Sequence, residues 1–272
     1  MKNIDNLDDI VIPKDIHTII VRNCPELTEL TNESNFCYVY TVVLKNLPKI
    51  SDVSMLKNIH MLIIENVPKI STVSKIIFEN VVTLDDIVIP ENIHTIIVRN
   101  SPELIKLTNN HNFCNVHMVI LKNLPKILDV SMLRNIHTLV IEKLTCLSNV
   151  SSLKNINNLS LCLCQNVKDI SALKNIRILL ISLCQNVIDV SMLKNVDNLS
   201  LHCCQNIKNV SILGTVNTLL LNFCQNITDV SMLGNVNSLN LWGCKNITDV
   251  SMLKNVKTLD LRFCENISKK NS

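Results

Sequence analysis

The segment INNLSLCLCQNVKDISALKN, residues 156–175, is one complete copy of a twenty-residue sequence repeat, here also called the phrase. The repeat recurs at constant spacing through the second half of the chain. Six cysteines mark the same position in successive copies: Cys164, Cys184, Cys204, Cys224, Cys244 and Cys264. The L-x-L alternation predicts a short strand with one buried face. The D-[IV]-S-x-L part predicts a return through a 3-10 turn capped by its Ser, because two apolar residues three apart suit that geometry. Strands at this spacing must run parallel, so the phrase predicts a solenoid.

The same apolar positions continue upstream of the cysteine copies at less regular spacings. The residues equivalent to the ladder cysteines there are Cys24, Leu47, Val67, Ser101, Leu124 and Leu144, which gives twelve coils in all. The longest interval, from Val67 to Ser101, contains residues 68–100, where we expect an irregularity or an extra strand. A longer repeat relates residues 7–13 to residues 84–90, so the N-terminal half is a duplicated block.

We predict one solenoid because the period crosses the whole chain without a linker. Its predicted parts are an N-terminal cap at residues 1–15, duplicated repeats at 16–143, regular repeats at 144–267 and a tail at 268–272. The last phrase stops halfway, after Ile267, although solenoids need a polar cap over their last apolar layer. We therefore expect the C-terminal coil to fray or to pair tail to tail with a second molecule.

Composition narrows the class of protein further. The 272 residues are 47% hydrophobic but only 3% aromatic, with 12 Cys and 3 Gly, which suits narrow layers of small aliphatic side chains. A net charge of +3 argues against a nucleic-acid partner. The N-terminus lacks the apolar region of a secretory signal, and no stretch reaches the roughly eighteen apolar residues of a membrane span. We therefore expect a cytoplasmic protein with no membrane contact and with free cysteines.

The phrase resembles the leucine-rich repeat family, whose signature is L-x-x-L-x-L-x-x-[NC]-x-x-L. The matching positions in one copy are Ile156, Leu159, Leu161, Cys164 and Val167. The D-V-S-M-L segments at residues 229–233 and 249–253 resemble the D-[IV]-S-P-L segment of internalin-like repeats, with Met in place of Pro. The richness in Asn, Ile and Lys is similar to repeat families of large DNA viruses and AT-rich protists. The resemblance implies an α/β-type repeat solenoid, a horseshoe with a parallel sheet on its concave face.

In that fold, the residue between the two strand leucines faces outward on the concave sheet. The first six coils carry a β-branched residue there: Ile20, Val43, Ile63, Ile97, Ile120 and Val140. At a strand spacing of ~4.8 Å they would form a stripe roughly 25 Å long. Contiguous apolar exposure usually marks a contact site, so we predict that this stripe binds a partner. The alternative is that β-propensity alone favours Ile and Val in strands.

Two further sets of residues complete the predicted interaction surface. The charged rim of the apolar stripe consists of Arg22, Lys45, Arg99 and Lys122. At the same repeat position the C-terminal coils carry varied polar and aromatic residues, although the neighbouring repeat positions hardly vary. These residues are His202, Asn222, Trp242 and Arg262. Trp and Arg are common hot spots of interfaces, so we predict a second recognition patch there. Neutral drift at solvent positions would explain the same variety.

Three ladders of identical residues have structural explanations. Five His share one repeat position, but no carboxylate partners accompany them, so we expect neither a metal nor a cofactor. The cysteine column forms a line rather than a tetrahedron, so we interpret it as buried core with thiols that contact the turn backbone. The Asn column from Asn166 to Asn266 is expected to satisfy backbone groups of neighbouring coils.

The sequence contains none of the P-loop, H-E-x-x-H or G-x-S-x-G motifs, and it has only 3 Gly. We therefore predict a non-enzymatic protein-interaction scaffold that binds a protein partner of unknown identity through the concave face. One alternative is substrate recognition within a ubiquitin ligase, for which residues 1–15 are too short to supply an F-box-like segment. The other is a passive structural repeat protein, which would be indifferent to mutations of the concave face.

Overall fold

The computed structural model describes residues 16–30, 39–50, 56, 61–65, 67, 75–84, 93–107, 113 and 116–267. The chain divides into two compact units, Met1–Lys126 and Ile127–Ser272. The predicted N-terminal cap, the predicted tail and His60 of the histidine ladder lie outside the described residues.

Within each unit the described strands pair in parallel with their neighbours in chain order. The first unit contains β1 (Thr18–Arg22), β2 (Thr41–Lys45), β3 (Met61–Glu65), β4 (Lys75–Glu79), β5 (Thr95–Arg99) and β6 (Met118–Lys122). The second contains β7 (Thr138–Glu142), β8 (Asn158–Cys162), β9 (Ile178–Ser182), β10 (Asn198–His202), β11 (Thr218–Leu220), β12 (Ser238–Asn240) and β13 (Thr258–Asp260). The predicted architecture of parallel strands and short returns is confirmed.

The described residues form thirteen strands, one more than the twelve coils counted from the sequence. The additional strand is β4, which lies in the long coil where an extra strand was one of two expectations. It pairs with β3 through Ile64 and Phe78 and with β5 through Ile77 and Ile97. The sequence count treated the long interval as one coil, whereas Glu79 pairs with Arg99 one ordinary period further along the chain.

The core is a stack of identical layers. In a regular coil, the two strand leucines, the ladder cysteine, the following aliphatic residue and the leucine of the return all point inward. Leu199, Leu201, Cys204, Ile207 and Leu213 are each at most 1% exposed. One coil contributes one narrow layer, which explains why small aliphatic residues fill a core that has almost no aromatic rings.

The returns contain short 3-10 helices, as the S-x-L spacing predicts. They span Ser131–Leu133, Ser151–Asn155, Ser171–Leu173, Ser191–Asn195, Ser211–Thr215, Ser231–Leu233 and Ser251–Leu253. The predicted capping role of Ser was wrong. The carboxylate of Asp189 accepts a hydrogen bond from the backbone N–H of Ser191 at 2.8 Å, so the residue two positions before Ser closes the turn. Asn209 performs the same function for Ser211 at 3.0 Å.

Candidate functional site

The outward side of the strands of each unit is here called its sheet face. The predicted apolar stripe lies on the sheet face of the first unit, but it is only partly exposed. Ile20 is 58% exposed, whereas Val43 is 7% exposed and Ile63, Ile97 and Ile120 are half-buried. Register explains the exposure of Ile20, since β1 pairs only with β2 among the described strands, whereas Val43 has a paired residue on both sides. Side chains at strand spacing cover one another. Val140, on β7 in the second unit, is also half-buried.

The charged rim contains an acidic residue that the sequence prediction missed. Glu79, at the end of β4, accepts hydrogen bonds from Arg99 at 3.0 Å and from the side-chain amide of Asn100 at 2.8 Å. Although burial acts in the opposite direction, these bonds and the nearby charges of Arg99 and Lys45 lower the pKa of Glu79. Arg99 therefore forms an ion pair with Glu79 within the first unit. The regular offset between β4 and β5, the same as between the cysteine copies, is the signal that would have revealed Glu79.

The structure brings the residues of the predicted C-terminal patch together. The ring of Trp242 lies 5.1 Å from that of Phe223 and 6.1 Å from that of Phe263, between centroids. His202 meets Phe223 edge to face at 5.7 Å. The guanidinium of Arg262 lies over the indole of Trp242 at 5.7 Å, a distance at which cation–π attraction operates. Sequence reasoning found His202, Trp242 and Arg262 but missed both phenylalanines, which lie one position beyond the strand-face series.

An ion pair holds Arg262 in this position. Its Nη2 lies 2.7 Å from a carboxylate oxygen of Asp260, and its Nε donates to the same carboxylate at 3.0 Å. Asn240 donates to the carboxylate at 3.2 Å. The hydrogen bonds from Arg262 lower the pKa of Asp260 to about 2, so this carboxylate remains ionised at any physiological pH.

Two polar atoms of the patch are buried without a hydrogen-bond partner among the described residues. They are the Oδ1 of Asn222 and the indole Nε1 of Trp242. The two residues occupy the same position in neighbouring coils. A buried unpaired donor or acceptor costs about 1–3 kcal/mol, so the scaffold retains them at the expense of its own stability.

The cysteine ladder is structural, as predicted. The ladder cysteines Cys184 to Cys244 are fully buried, and the thiol of Cys184 donates to backbone carbonyl oxygens of Ser182 at 3.3 Å and Leu161 at 3.6 Å. Burial raises the pKa of Cys204 and Cys224 to about 12. These thiols therefore stay protonated at neutral pH and are poor nucleophiles.

Two amide ladders hold the turns together, and one of them was predicted. The side-chain amide of Asn186 donates to the carbonyl of Gln165 at 2.5 Å, and each later Asn of the column repeats this bond one coil further on. The other ladder is formed by Gln, which sequence reasoning missed. Gln185 donates to the carbonyl of Cys203 at 2.9 Å and accepts from the backbone N–H of Gln205 at 3.0 Å. Turns tied in this way provide a rigid base for the sheet face.

The histidine ladder forms close contacts in its described part. The rings of His94 and His117 stack with centroids 4.7 Å apart, and His94 shares a 3.0 Å hydrogen bond with Thr95. Among the described residues, no three His, Cys, Asp or Glu side chains converge on a position that could hold a metal ion.

No helix in the described part of the chain is long and apolar enough to cross a membrane.

The backbone turns sharply just after each strand, at the residue before the ladder position. That residue has a positive φ in almost every described coil, for example 56° at Asn23, 54° at Leu183 and 56° at Phe223. Its N–H still donates to the next coil, as from Leu183 to the carbonyl of His202 at 2.9 Å. The left-handed conformation therefore directs the chain away from the sheet without breaking the ladder between coils.

Parallel single-strand coils, 3-10 returns and a buried cysteine column define a leucine-rich repeat fold, in agreement with the resemblance seen in the sequence. No family model matches the chain, and no curated protein matches its sequence. Among solved structures, the internalin InlF from Listeria monocytogenes is 17% identical, with 91% of this chain and 87% of that chain covered and a TM-score of 0.45. The leucine-rich repeat domain of the type III effector XopL is 12% identical, with coverages of 75% and 76% and a TM-score of 0.41.

The functional domain of InlJ from Listeria monocytogenes, which includes a cysteine ladder, is 16% identical to this chain. The match covers 86% of this chain and 51% of that one, with a TM-score of 0.33. Because these TM-scores are low, the assignment of the fold rests on the strand pairing, the returns and the repeat itself.

Proposed function

We propose that this protein is a non-enzymatic scaffold that binds a protein partner through its sheet face, chiefly through the C-terminal patch of His202, Asn222, Trp242 and Arg262. The observation that carries the proposal is the aromatic cluster around Trp242. Its three rings lie just beyond the ends of β11, β12 and β13 and outside the buried core, with Phe223 and Trp242 half-buried and Phe263 64% exposed. Trp and Arg dominate interface energetics when a partner excludes water from them.

The side chains of Trp242 and Arg262 support a polypeptide partner, because aromatic and Arg residues contribute most to protein–protein interfaces. A rigid, preformed surface also lowers the entropy lost on binding. The part of the predicted stripe that lies in the first unit, from Ile20 to Ile120, with its rim of Arg22, Lys45, Arg99 and Lys122, is the second candidate surface of the same proposal. It is the weaker of the two, because Val43 is only 7% exposed and so interrupts the stripe.

The test is affinity capture with the purified full chain and three variants. Trp242→Ala combined with Arg262→Ala removes the patch, and Ile20→Asp alters the exposed end of the stripe. Met232→Ala, on an exposed return position, is the matched control. Proteins retained by the wild type and the control but lost from the patch variant support the proposal. Identical capture by all four chains contradicts it.

We also propose that two copies pair tail to tail through the last described coil, which is one of the two outcomes expected from the sequence. β13 is hydrogen-bonded to β12, so this coil is formed through Ile267, yet its layer is open. Leu259 is 37% exposed, whereas its equivalent Leu239 is 1% exposed. Light scattering should give a dimer mass that Leu259→Asp reduces to that of a monomer. A monomer mass for the wild type at high concentration removes this proposal.

A further inference from the structure

The last described strand, β13, has one hydrogen-bonding edge without a neighbour in the described part of the chain. It pairs with β12 on its other side. One coil earlier, the backbone N–H of Leu241 donates to the carbonyl oxygen of Asp260 at 2.9 Å. Leu261 occupies the same repeat position in the last coil, so its N–H points to the open side. An open edge of this kind is a template for pairing with another strand.

The apolar layer beneath this edge is incomplete as well. Leu261 and Cys264 are half-buried, whereas their equivalents one coil earlier, Leu241 and Cys244, are each 0% exposed. In a solenoid, each layer is covered by the layer of the next coil. The open edge therefore lacks both a strand and an apolar layer. A lone peptide strand would supply only the first, whereas the end of a second solenoid supplies both.

A second copy of the chain supplies this strand and this layer through the same edge. In a twofold dimer the same surface of both copies forms the interface, so each contact occurs twice. An axis perpendicular to the sheet makes the two copies of β13 antiparallel and leaves both sheet faces on the same side. The sheet then continues from one copy into the other, and the two open layers meet beneath it.

Two charged residues of the last coil favour one register for this pairing. In an antiparallel pair, residues whose N–H and C=O point toward the partner strand lie opposite residues of the same kind. With Leu261 opposite its own counterpart, Asp260 of each copy lies opposite Arg262 of the other. The next register, with Asp260 opposite its counterpart, would bring two carboxylates face to face, which is destabilising. A register centred on Leu259 would place Thr258 opposite Asp260 and gains no charge attraction.

The side chain of Arg262 has donors left for the carboxylate of a second copy. Within its own chain it donates to Asp260 through Nε at 3.0 Å and through Nη2 at 2.7 Å. A guanidinium has five N–H donors, so the N–H groups of Nη1 remain for a second carboxylate. The side chain is also 72% exposed, which leaves it accessible from the open edge.

We propose that two copies of the chain join by antiparallel pairing of their β13 edges about a twofold axis at Leu261, with reciprocal ion pairs between Asp260 and Arg262. This inference rests on the tail-to-tail pairing proposed above and specifies its register. Arg262 belongs to the C-terminal patch and its neighbour Phe263 to the aromatic cluster, so both surfaces continue across the axis. A protein partner of the scaffold therefore contacts one patch built from two copies.

Two charge reversals and their mixture test the register. Asp260→Lys leaves two positive charges in the last coil, and Arg262→Asp leaves two negative ones. Each variant alone places like charges opposite each other, so its dissociation constant for the dimer should rise at least tenfold. An equal mixture should form dimers again, because each copy then meets opposite charges. Attraction within one copy cannot explain this recovery, since each variant has lost its own ion pair.

Light scattering at several concentrations gives the masses, and thermal melts followed by far-UV circular dichroism show that each variant is folded. Arg177→Asp reverses an exposed charge of an interior coil and is the matched control, which should dimerise like the wild type. A wild type that is monomeric at high concentration overturns both this inference and the tail-to-tail pairing. A wild-type dimer whose charge reversals dimerise unchanged, or whose mixture stays monomeric, overturns the register alone.

Discussion

At the scale of single residues, the left-handed turn position explains more of the surface than the strand positions do. Asn100 and Phe223 have nearly the same backbone conformation, with φ of 49° and 56°. The first joins an amide ladder and the second joins an aromatic cluster. One backbone requirement is therefore met by residues of opposite character in the two units, and this choice determines which surface each unit presents.

Gly243 is the glycine of this series, at which an added side chain would collide with a neighbouring ring. Its φ is 72°, and a Cβ would collide with the ring of Phe223. Gly243→Ala should destabilise the chain by about 1–2 kcal/mol, since both the left-handed strain and the displaced ring act against the variant. Urea unfolding followed by Trp242 emission measures the change.

A double variant separates the two causes. Phe223→Leu combined with Gly243→Ala should recover part of the loss if the collision matters. A loss that is identical in both backgrounds would assign the whole effect to backbone strain.

At the scale of elements, a carboxylate or amide oxygen two residues before the Ser closes the return, whereas the sequence pattern assigned that role to the Ser itself. Asp229 accepts from the backbone N–H of Ser231 at 2.9 Å, and hydrogen bonds from Ser231 lower the pKa of Asp229. Asn149 and Asn209 occupy the same position in other coils and accept the same bond. The turn therefore needs an acceptor and not a charge.

Substitution of Asp229 should separate these two properties. Asp229→Asn should keep the thermal midpoint at neutral pH, whereas Asp229→Ala should lower it because the N–H of Ser231 loses its partner. A lowered pKa means that the carboxylate stabilises the fold above the usual Asp pKa and that this contribution is lost as the pH falls. Thermal melts from neutral to strongly acidic pH should therefore fall more steeply for the wild type than for Asp229→Asn. Parallel curves would contradict this account.

At the scale of the whole molecule, stability comes from layers that contact only their neighbours. Leu199 lies in an interior coil and is 1% exposed, whereas Leu259 occupies the equivalent position in the last described coil and is 37% exposed. In such a stack, truncating a side chain lowers the free energy of unfolding more when layers contact it on both sides than when a layer contacts it on one side only. The interior and the end of the repeat should therefore respond differently to the same substitution.

Leu199→Ala should cost about 2–5 kcal/mol, the usual range for a buried leucine in a packed core. Leu259→Ala should cost clearly less, because one side of its layer is open. Equilibrium unfolding in urea, monitored by far-UV circular dichroism, measures both variants. Equal losses would show that the last coil is covered in solution, which would favour the proposed tail-to-tail pairing.

The repeat by itself determined the parallel strands, the 3-10 returns, the buried cysteine column and the Asn ladder. Each of these follows from a local pattern that every coil satisfies in the same way, so the period of the phrase was sufficient. The tertiary structure alone decided the place of β4 in the sheet, the burial of Val43 and the cluster of Phe223, Trp242 and Phe263. Contacts of this kind join residues of different coils. They depend on the register between strands and on the left-handed backbone at the turns, and a single copy of the repeat specifies neither.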